Sequence, residues 1–299
     1  MSSGFHGLPT RSISSAHIRL EFLAEAGPRV VRLFVNGSDE NLLAELPDVK
    51  WATPYGDYRI YGGHRLWHAP EGMPRSYIPD NEGLIVEDIT DGVRLSHPAE
   101  IATGIRKRIE IHLHVDRPAA TLRHQLVNDG AAPIECAPWA ITQLRLGGVA
   151  IMQQPAGALD ADGLLPNRHL ALWPYARWRD DRLHLDDDLI LVQGRAQLPP
   201  LKIGCFNHHG WIAYLRAGVL FVKRFRPRAG EPHPDFNCNV EVYCDDRVVE
   251  LETLAPLRRL EPGQSATHVE TWEARVGIDA PPTPDGARAA MSILEREDL

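Results

Sequence analysis

The residues best suited to acid–base chemistry stand in one stretch, NVEVYCDDRVVELETLAP, which covers residues 239–256. Side chains alternate between the two faces of a strand, so Glu250 and Glu252 share the face opposite their apolar neighbours. Glu241 occupies an equivalent place on the preceding predicted strand. Carboxyl groups that share a cleft can take and give protons, which makes all three candidate catalytic or binding groups. The alternative is a solvated face of an antiparallel sheet with no chemical role.

A second group of functional side chains lies in YGGHRLWHAPE, residues 61–71. The guanidinium of Arg65 offers a fixed fork of donors that can chelate paired hydroxyls, and Trp67 offers a flat apolar face suited to a sugar ring. His64 adds an imidazole and Glu71 a carboxylate. This composition favours a polyol-binding site. The structural alternative is an Arg65–Glu71 ion pair beside a core tryptophan.

Further candidate residues are spread along the chain. In NHHGW, His208 and His209 are adjacent, and adjacent strand residues point to opposite faces, so at most one of them serves a cleft. His112 and His114 have a spacing that can ligate a metal, but with Glu110 beside them on a polar face the solvated interpretation is favoured, and we expect no metal and no cofactor. The remaining candidates for substrate binding are Tyr77, Asn81, Trp139, Trp211, Lys223 and Asp235.

Composition and missing motifs exclude several classes of function. The 299 residues carry a net charge of -8 and a pI near 6.0, which argues against nucleic-acid binding. The signatures GxGxxG, GxxxxGK[ST], GxSxG and HExxH do not occur. The first residues lack an apolar segment and no long apolar run follows, so we expect a soluble, cytoplasmic protein without a membrane partner. The four cysteines are too scattered for a disulfide framework, and we expect buried free thiols.

The elements that must position these residues are predicted to be strands. Alternating apolar and polar residues, separated by glycine and proline, predict an all-β chain: one large antiparallel β-sandwich over residues 1–299. Residues 154–188 lack periodicity and form either a functional rim or a packed loop. Ala287, Ala290, Met291 and Leu294 predict a short C-terminal helix. The predicted strands are 17–24, 29–35, 84–89, 92–96, 107–115, 121–127, 139–144, 189–193, 211–215, 219–225, 238–243, 248–253 and 267–275.

Several blocks carry a family resemblance: YGGHRLWHAPE, SYIPDN, LVNDGAAPIECAPWAITQL, LLPNRHLALWPY and the run from NVEVY to THVETW. In this order they resemble an uncharacterised bacterial family with the galactose-mutarotase-like fold, which is distantly similar to the aldose 1-epimerases. The resemblance covers nearly the whole chain. It implies a single supersandwich domain with a sugar site on the concave face of one sheet.

The resemblance also implies roles for individual residues. Aldose 1-epimerases use a glutamate to take the proton of the anomeric hydroxyl and a histidine to protonate the ring oxygen. Glu252 resembles that base, with Glu250 as the alternative, and Arg65 resembles the substrate arginine. The family histidine has no counterpart, because this chain reads Ala-Pro-Trp at 137–139. The acid would then be His64, His208 or His209.

We therefore expect a carbohydrate-active enzyme, an epimerase or a related isomerase or lyase, acting on a small-molecule carbohydrate or related ligand as a monomer or homodimer. Two alternatives stay open. One is a non-catalytic sugar-binding protein that has lost the histidine. The other is an enzyme acting on a non-sugar ligand, because Trp67, Trp139 and Trp211 also suit a flatter, more apolar molecule.

Overall fold

Two ten-stranded antiparallel sheets form the molecule in the computed structural model, which describes residues 4–35, 38–158 and 160–297. The first sheet has the order β1-β2-β3-β6-β11-β20-β19-β16-β13, with β21 paired to β11. Its strands are β1 (Thr10–Ser14), β2 (Ile18–Leu23), β3 (Arg29–Val35), β6 (His64–Ala69), β11 (Ile134–Arg145), β13 (Ala171–Leu172), β16 (Leu201–Cys205), β19 (Val240–Cys244), β20 (Val248–Leu254) and β21 (Arg258–Leu260).

The second sheet has the order β14-β15-β12-β17-β18-β22-β10-β9-β8-β7. Its strands are β7 (Ile85–Ile89), β8 (Gly92–Ser96), β9 (Ile105–Leu113), β10 (Ala119–Asn128), β12 (Val149–Gln153), β14 (Leu183–Leu185), β15 (Leu189–Gln193), β17 (Trp211–Arg216), β18 (Val219–Phe225) and β22 (Ser265–Val276). A separate hairpin joins β4 (Glu45–Thr53) to β5 (Gly56–Gly62). The predicted β-sandwich is confirmed.

The main core lies between the sheets and follows from strand alternation. On β20, Val249 and Leu251 point into this core, and on β19 Val240 and Val242 do the same. The intervening residues therefore point to the outer face of the first sheet. Removing this apolar surface from water is the main stabilising contribution to the sandwich.

Two further layers cover the outer faces of the sheets. Tyr58 and Ile60 of the β4–β5 hairpin pack on the outer face of the first sheet. The predicted C-terminal helix is present as α1 (Pro284–Glu297), and its Ala287, Ala290 and Met291 pack on the outer face of the second sheet. The side chain of Leu294, predicted for the same helix face, lies outside the described residues.

The strands that the sequence pattern predicted all occur, with ends that differ by a few residues. The strands that the pattern did not predict are β1, β4, β5, β6, β12, β13, β14, β16 and β21. Of these, β6, β12 and β16 are buried on both faces or nearly so, which removes the alternation of apolar and polar residues. In its described residues the segment 154–188 is largely irregular, as expected, and the strands it contains there are β13 and β14. The four cysteines are free and buried, as predicted. Within the described residues, no helix has the length and apolar character needed to cross a membrane.

Candidate functional site

Five neighbouring strands of the first sheet place functional side chains on its outer face. Strand pairing sets Arg65 beside Ile141, then Glu252, then Glu241 in one row across β6, β11, β20 and β19. The next row runs Gln143, Glu250, Tyr243 and Lys202 across β11, β20, β19 and β16. The predicted shared face of Glu250 and Glu252 is thus correct.

These rows form the floor of a cavity of about 310 Å³. The β4–β5 hairpin and the segment that carries Glu71 and Tyr77 supply its walls. The irregular segment 154–188 contributes Tyr175. The side chains that line it are Leu46, Val49, Trp51, Ile60, Arg65, Trp67, Glu71, Tyr77, Trp139, Ile141, Gln143, Tyr175, Pro200, Lys202, Tyr243, Asp245, Arg247, Val248 and Glu250. Its volume lies at the lower end of the range for small-molecule sites.

Glu250 is the one of the two β20 carboxyl groups that reaches the cavity. Its side chain is 12% exposed, and its Oε1 accepts a hydrogen bond of 2.6 Å from Gln143 Nε2 and lies 3.4 Å from Arg65 Nη2. Burial raises the pKa of Glu250 to about 7, together with repulsion by Glu252 and against the attraction of Arg65 and Lys202. A carboxyl with this pKa can exchange a proton near neutral pH.

Glu252 lies behind the cavity wall. Its side chain is fully buried, and its Oε2 accepts hydrogen bonds from Trp139 Nε1 at 2.6 Å and Lys202 Nζ at 2.9 Å. Lys202 also lies 2.8 Å from Glu241 Oε2. Although burial lowers the pKa of Lys202, the two carboxylates outweigh it and raise that pKa well above the usual value. Lys202 therefore stays a fixed cation.

Glu241, like Glu252, is fully buried. Burial is the main reason that the pKa of Glu241 lies well above the usual value; it acts against the attraction of Lys202, and repulsion by Glu252 and Asp235 adds to it. Burial also raises the pKa of Asp235, and the carboxyl groups of Asp235 and Glu241 are close enough to interact electrostatically. The missing side chain of Gly204 makes room for Glu241, because a Cβ there would lie 3.0 Å from Glu241 Cγ. The early alternative of a solvated strand face is wrong for Glu241 and Glu252.

An aromatic wall faces these charged groups. The indole of Trp67 lies 5.3 Å from that of Trp139 and 5.1 Å from the ring of Tyr77, and its Nε1 donates a 2.7 Å hydrogen bond to Tyr58. The guanidinium of Arg65 lies 4.4 Å above the Trp67 ring, while its Nε and Nη1 have no hydrogen-bond partner in the described part of the chain. These two donors are buried and unsatisfied, and the Arg65 side chain borders the cavity.

Most of the site residues predicted from the sequence lie in or next to this cavity. Arg65, Trp67, Glu71, Tyr77, Trp139 and Glu250 line the cavity, and Glu241 and Glu252 lie beneath it. At the rim, the Tyr77 hydroxyl donates to Glu71. Asp235 lies farther along, next to Glu241.

The structure separates His64 from this site. His64 points between the sheets, where its Nε2 lies 2.7 Å from His124 Nε2 and its Nδ1 lies 2.9 Å from Thr142 Oγ1. Burial lowers the pKa of His64 well below its usual value, so the ring is neutral. The expectation that His64 faces the ligand is wrong, because alternation on β6 sends His64 and Arg65 to opposite faces.

The histidine pair of NHHGW does not line the cavity either. His208 and His209 are exposed in the turn between β16 and β17, where Asn207 Oδ1 accepts the backbone N–H of His209. The ring of His208 packs 4.8 Å from that of Phe206. Neither imidazole takes the place of the absent family histidine within this cavity.

Three other residues that the sequence predicted to bind substrate do not line the cavity. Trp211 is buried under helix α1 on the far side of the second sheet. Lys223 is buried between the sheets, 2.9 Å from Glu270 Oε1 and bonded to the carbonyls of Ala140 and Leu251. Asn81 accepts a hydrogen bond from the Tyr61 hydroxyl and supports the rim. Trp211 and Lys223 are buried away from the cavity, and their residue types alone could not indicate this.

One group of three side chains in the described residues has the spacing of metal ligands: His64, His124 and Glu270, whose ligand atoms lie within 4.8 Å of one another. Lys223 already supplies the countercharge to Glu270 at 2.9 Å. Trp272 Nε1 donates to the other oxygen of Glu270 at 3.0 Å. These contacts satisfy the group as a polar network within the core, and a divalent cation would place added positive charge beside a buried ammonium.

Several cavity residues were not identified from the sequence. Lys202 stands in LKIGC, where it alternates with apolar residues and could have been found as a charged residue on a buried strand. Gln143 lies on β11 beside Glu250. Tyr175 and Tyr243 face each other with ring centroids 6.5 Å apart, and no local pattern indicates this contact between distant segments.

No protein-family model and no curated protein matches the sequence. Solved structures do match. A protein from Klebsiella pneumoniae, provisionally identified as an aldose 1-epimerase, has a TM-score of 0.57 at 11% identity, with 99% of this chain and 85% of that chain covered. A galactose mutarotase-like protein from Lactobacillus casei has a TM-score of 0.53 at 9% identity, with coverage of 89% and 100%. A TPR-domain containing protein from Parabacteroides distasonis has a TM-score of 0.59 at 14% identity, with 89% of this chain and 47% of that longer chain covered. These similarities and the two-sheet architecture identify the fold as the galactose-mutarotase-like β-sandwich, as the sequence blocks predicted.

Proposed function

We propose that this protein is a carbohydrate-active enzyme that interconverts the anomers of a reducing sugar by acid–base catalysis in the cavity on the first sheet. The observation that carries the proposal is Glu250, a carboxyl with a pKa of about 7 that borders the cavity beside Arg65. The aromatic wall supplies a surface for the C–H face of a sugar, and Arg65 supplies unpaired donors for its hydroxyls.

Glu250 is preferred to Glu252 as the base. Glu252 is closed off by Trp139 and Lys202, so its carboxylate serves to hold Lys202 and the indole in position. Glu250 keeps 12% of its side chain exposed at the cavity. The fold of the matched epimerase-like structures supports a sugar site in general terms, and the choice of residue rests on this geometry.

In the proposed reaction, Glu250 takes the proton of the anomeric hydroxyl while the bond between C1 and the ring oxygen breaks. The ring oxygen receives a proton from Glu71, and an open-chain aldehyde forms. Glu71 also lines the cavity, and within the described residues its carboxyl accepts no hydrogen bond from the backbone. Rotation about C1–C2 followed by closure, with the two proton transfers reversed, gives the other anomer. Every proton taken by one group is returned, so no cofactor is consumed.

The test is proton NMR exchange or polarimetry on glucose, galactose and uronic acids, with Glu250→Gln and Glu71→Gln variants. Loss of a positioned acid or base is expected to lower kcat by about 10²- to 10⁴-fold. The matched control is Glu87→Gln, an exposed strand carboxyl that lies outside the cavity. Unchanged turnover in Glu250→Gln would refute the assignment.

A second candidate is a sugar-binding protein without catalysis. It is favoured by one observation: no histidine is among the described residues that line the cavity, so the family acid has no direct substitute. This reading predicts saturable binding of a sugar with no acceleration of anomer exchange. A non-sugar ligand, the remaining alternative, predicts that no sugar raises the melting temperature at millimolar concentration while flat aromatic compounds do.

A further inference from the structure

A second cavity of about 310 Å³ opens beside the first one. It is more apolar than the first, and four of the residues that line it belong to the irregular segment 154–188. Its lining residues are Ala171, Leu172, Trp173, Pro174, Asp235 and Phe236. Nothing in the acid–base mechanism above uses this cavity.

One wall of the second cavity is held in an unfavourable backbone conformation. Asp235, Phe236 and Asn237 have φ values of 53°, 59° and 68°, in the left-handed region that side chains other than glycine seldom occupy. The turn is fixed by Asn237 Oδ1, which accepts the backbone N–H of His233 at 3.0 Å, and by the Cys238 N–H bond to the Pro234 carbonyl at 2.9 Å. Strain of this kind is retained mainly at functional sites.

The strained turn carries an exposed aromatic ring that adds little to the stability of the fold. Phe236 is 87% exposed, although an aromatic side chain gains stability only by leaving water. Its position at the edge of an apolar cavity gives the ring a surface on which a ligand can lie. Asp235 sits next to it, half-buried, with a carboxyl that can accept hydrogen bonds from hydroxyl groups.

The two cavities share structural parts. The ammonium of Lys202 lies 4.6 Å from the ring centroid of Trp139, which lines the first cavity, and 4.6 Å from that of Trp173, which lines the second. Asp235 interacts electrostatically with Glu241, and Glu241 Oε2 lies 2.8 Å from the same ammonium. A ligand in the first cavity therefore has a neighbouring compartment with aromatic faces and a carboxyl, the two components of a sugar subsite.

We infer that the second cavity binds a second sugar unit, so that the substrate is a reducing disaccharide or longer oligosaccharide whose reducing end occupies the first cavity. This inference rests on the proposed function for the identity of the first unit. Trp173 and Phe236 would lie against the C–H faces of the second unit, and Asp235 would accept its hydroxyl protons.

The experiment is calorimetry or ligand-observed NMR of the full chain with glucose and galactose, compared with maltose, cellobiose and lactose. At least one disaccharide is expected to bind more tightly than its reducing-end monosaccharide. Removing one ring, in Phe236→Ala or Trp173→Ala, is expected to weaken disaccharide binding by roughly 3- to 10-fold and to leave monosaccharide binding unchanged. Phe236→Tyr, which keeps the ring, is expected to retain the preference.

Two further variants separate binding from folding. Phe236→Gly accepts the left-handed backbone without strain and is expected to fold at least as stably while losing the disaccharide preference. Trp178→Ala removes an indole that is 74% exposed in the same rim segment but lines neither cavity, and it is expected to change nothing. Equal binding of monosaccharides and disaccharides by the unmodified protein would overturn the inference while sparing the proposed function. A preference for aryl-substituted monosaccharides alone would also overturn it. Absence of binding to every sugar would instead refute the proposed function.

Discussion

Replacing Glu250 by glutamine is expected to stabilise the protein at alkaline pH while lowering turnover. The folded protein raises the pKa of Glu250 from 4.5 to about 7, mainly through burial. Ionisation of this carboxyl therefore lowers the free energy of unfolding by about 3 kcal/mol relative to the protonated form. The folded protein binds this proton more tightly than the unfolded chain does. The stabilisation is therefore complete below pH 4.5 and is lost as the pH rises through about 7. Glutamine stays neutral and keeps its carbonyl oxygen as an acceptor for Gln143.

The assay is urea unfolding of both proteins at about pH 4 and about pH 8, a range that brackets the two pKa values. The unfolding free energy of Glu250→Gln relative to the unmodified protein is expected to rise by about 3 kcal/mol between the two conditions. Other titrating groups are common to both proteins and cancel in this difference. Glu87→Gln, at an exposed strand position, is expected to show no such rise. If the difference in unfolding free energy between Glu250→Gln and the unmodified protein were the same at both pH values, the reasoning would be refuted, because the carboxyl would then not be desolvated.

Two further predictions concern the buried charges. Lys202→Met leaves Glu241 and Glu252 without their shared cation and is expected to cost about 3–5 kcal/mol in urea unfolding. The control Lys50→Met breaks an exposed 2.6 Å pair with Asp57 and is expected to cost about 1 kcal/mol or less; equal effects would contradict the role given to Lys202. Burial lowers the pKa of His124 to about 4, so the unfolded chain takes up this proton first and stability falls as the pH drops from 6.5 towards 4. Loss of His124 in His124→Gln is expected to flatten this part of the pH profile by about 3 kcal/mol, and an unchanged slope would count against a neutral buried ring.

Alternation of apolar and polar residues made some strands easy to predict and was absent from others. Strand β9 shows it clearly, since Ile109 and Ile111 point into the core between polar neighbours. Strand β16 does not, because all five of its residues are buried and Lys202 stands among them as a paired cation. Sequence periodicity reports exposure to water, and it fails where a charged side chain is compensated inside the protein.

The same limit explains the histidines. His64 and Arg65 are neighbours in a stretch rich in polar side chains, and no local feature tells which of them faces a ligand. The answer comes from pairing with β11, where His64 lies opposite Thr142 and Arg65 opposite Ile141. Thr142 and His124 satisfy the imidazole between the sheets, and Arg65 is left on the outer face beside Glu250.

The difference between Glu250 and Glu252 arises in the same way. Both carboxyls share one face of β20, and strand alternation makes them equivalent. They differ in their cross-strand neighbours: Glu252 lies in the row of Glu241, and Glu250 lies in the row of Tyr243. Trp139 and Lys202 converge on Glu252 from β11 and β16 and close it off, whereas Glu250 meets an open cavity. A ligand can therefore reach only the carboxyl whose neighbours leave it partly exposed, and the charge of the covered one fixes the cation that joins the two cavities.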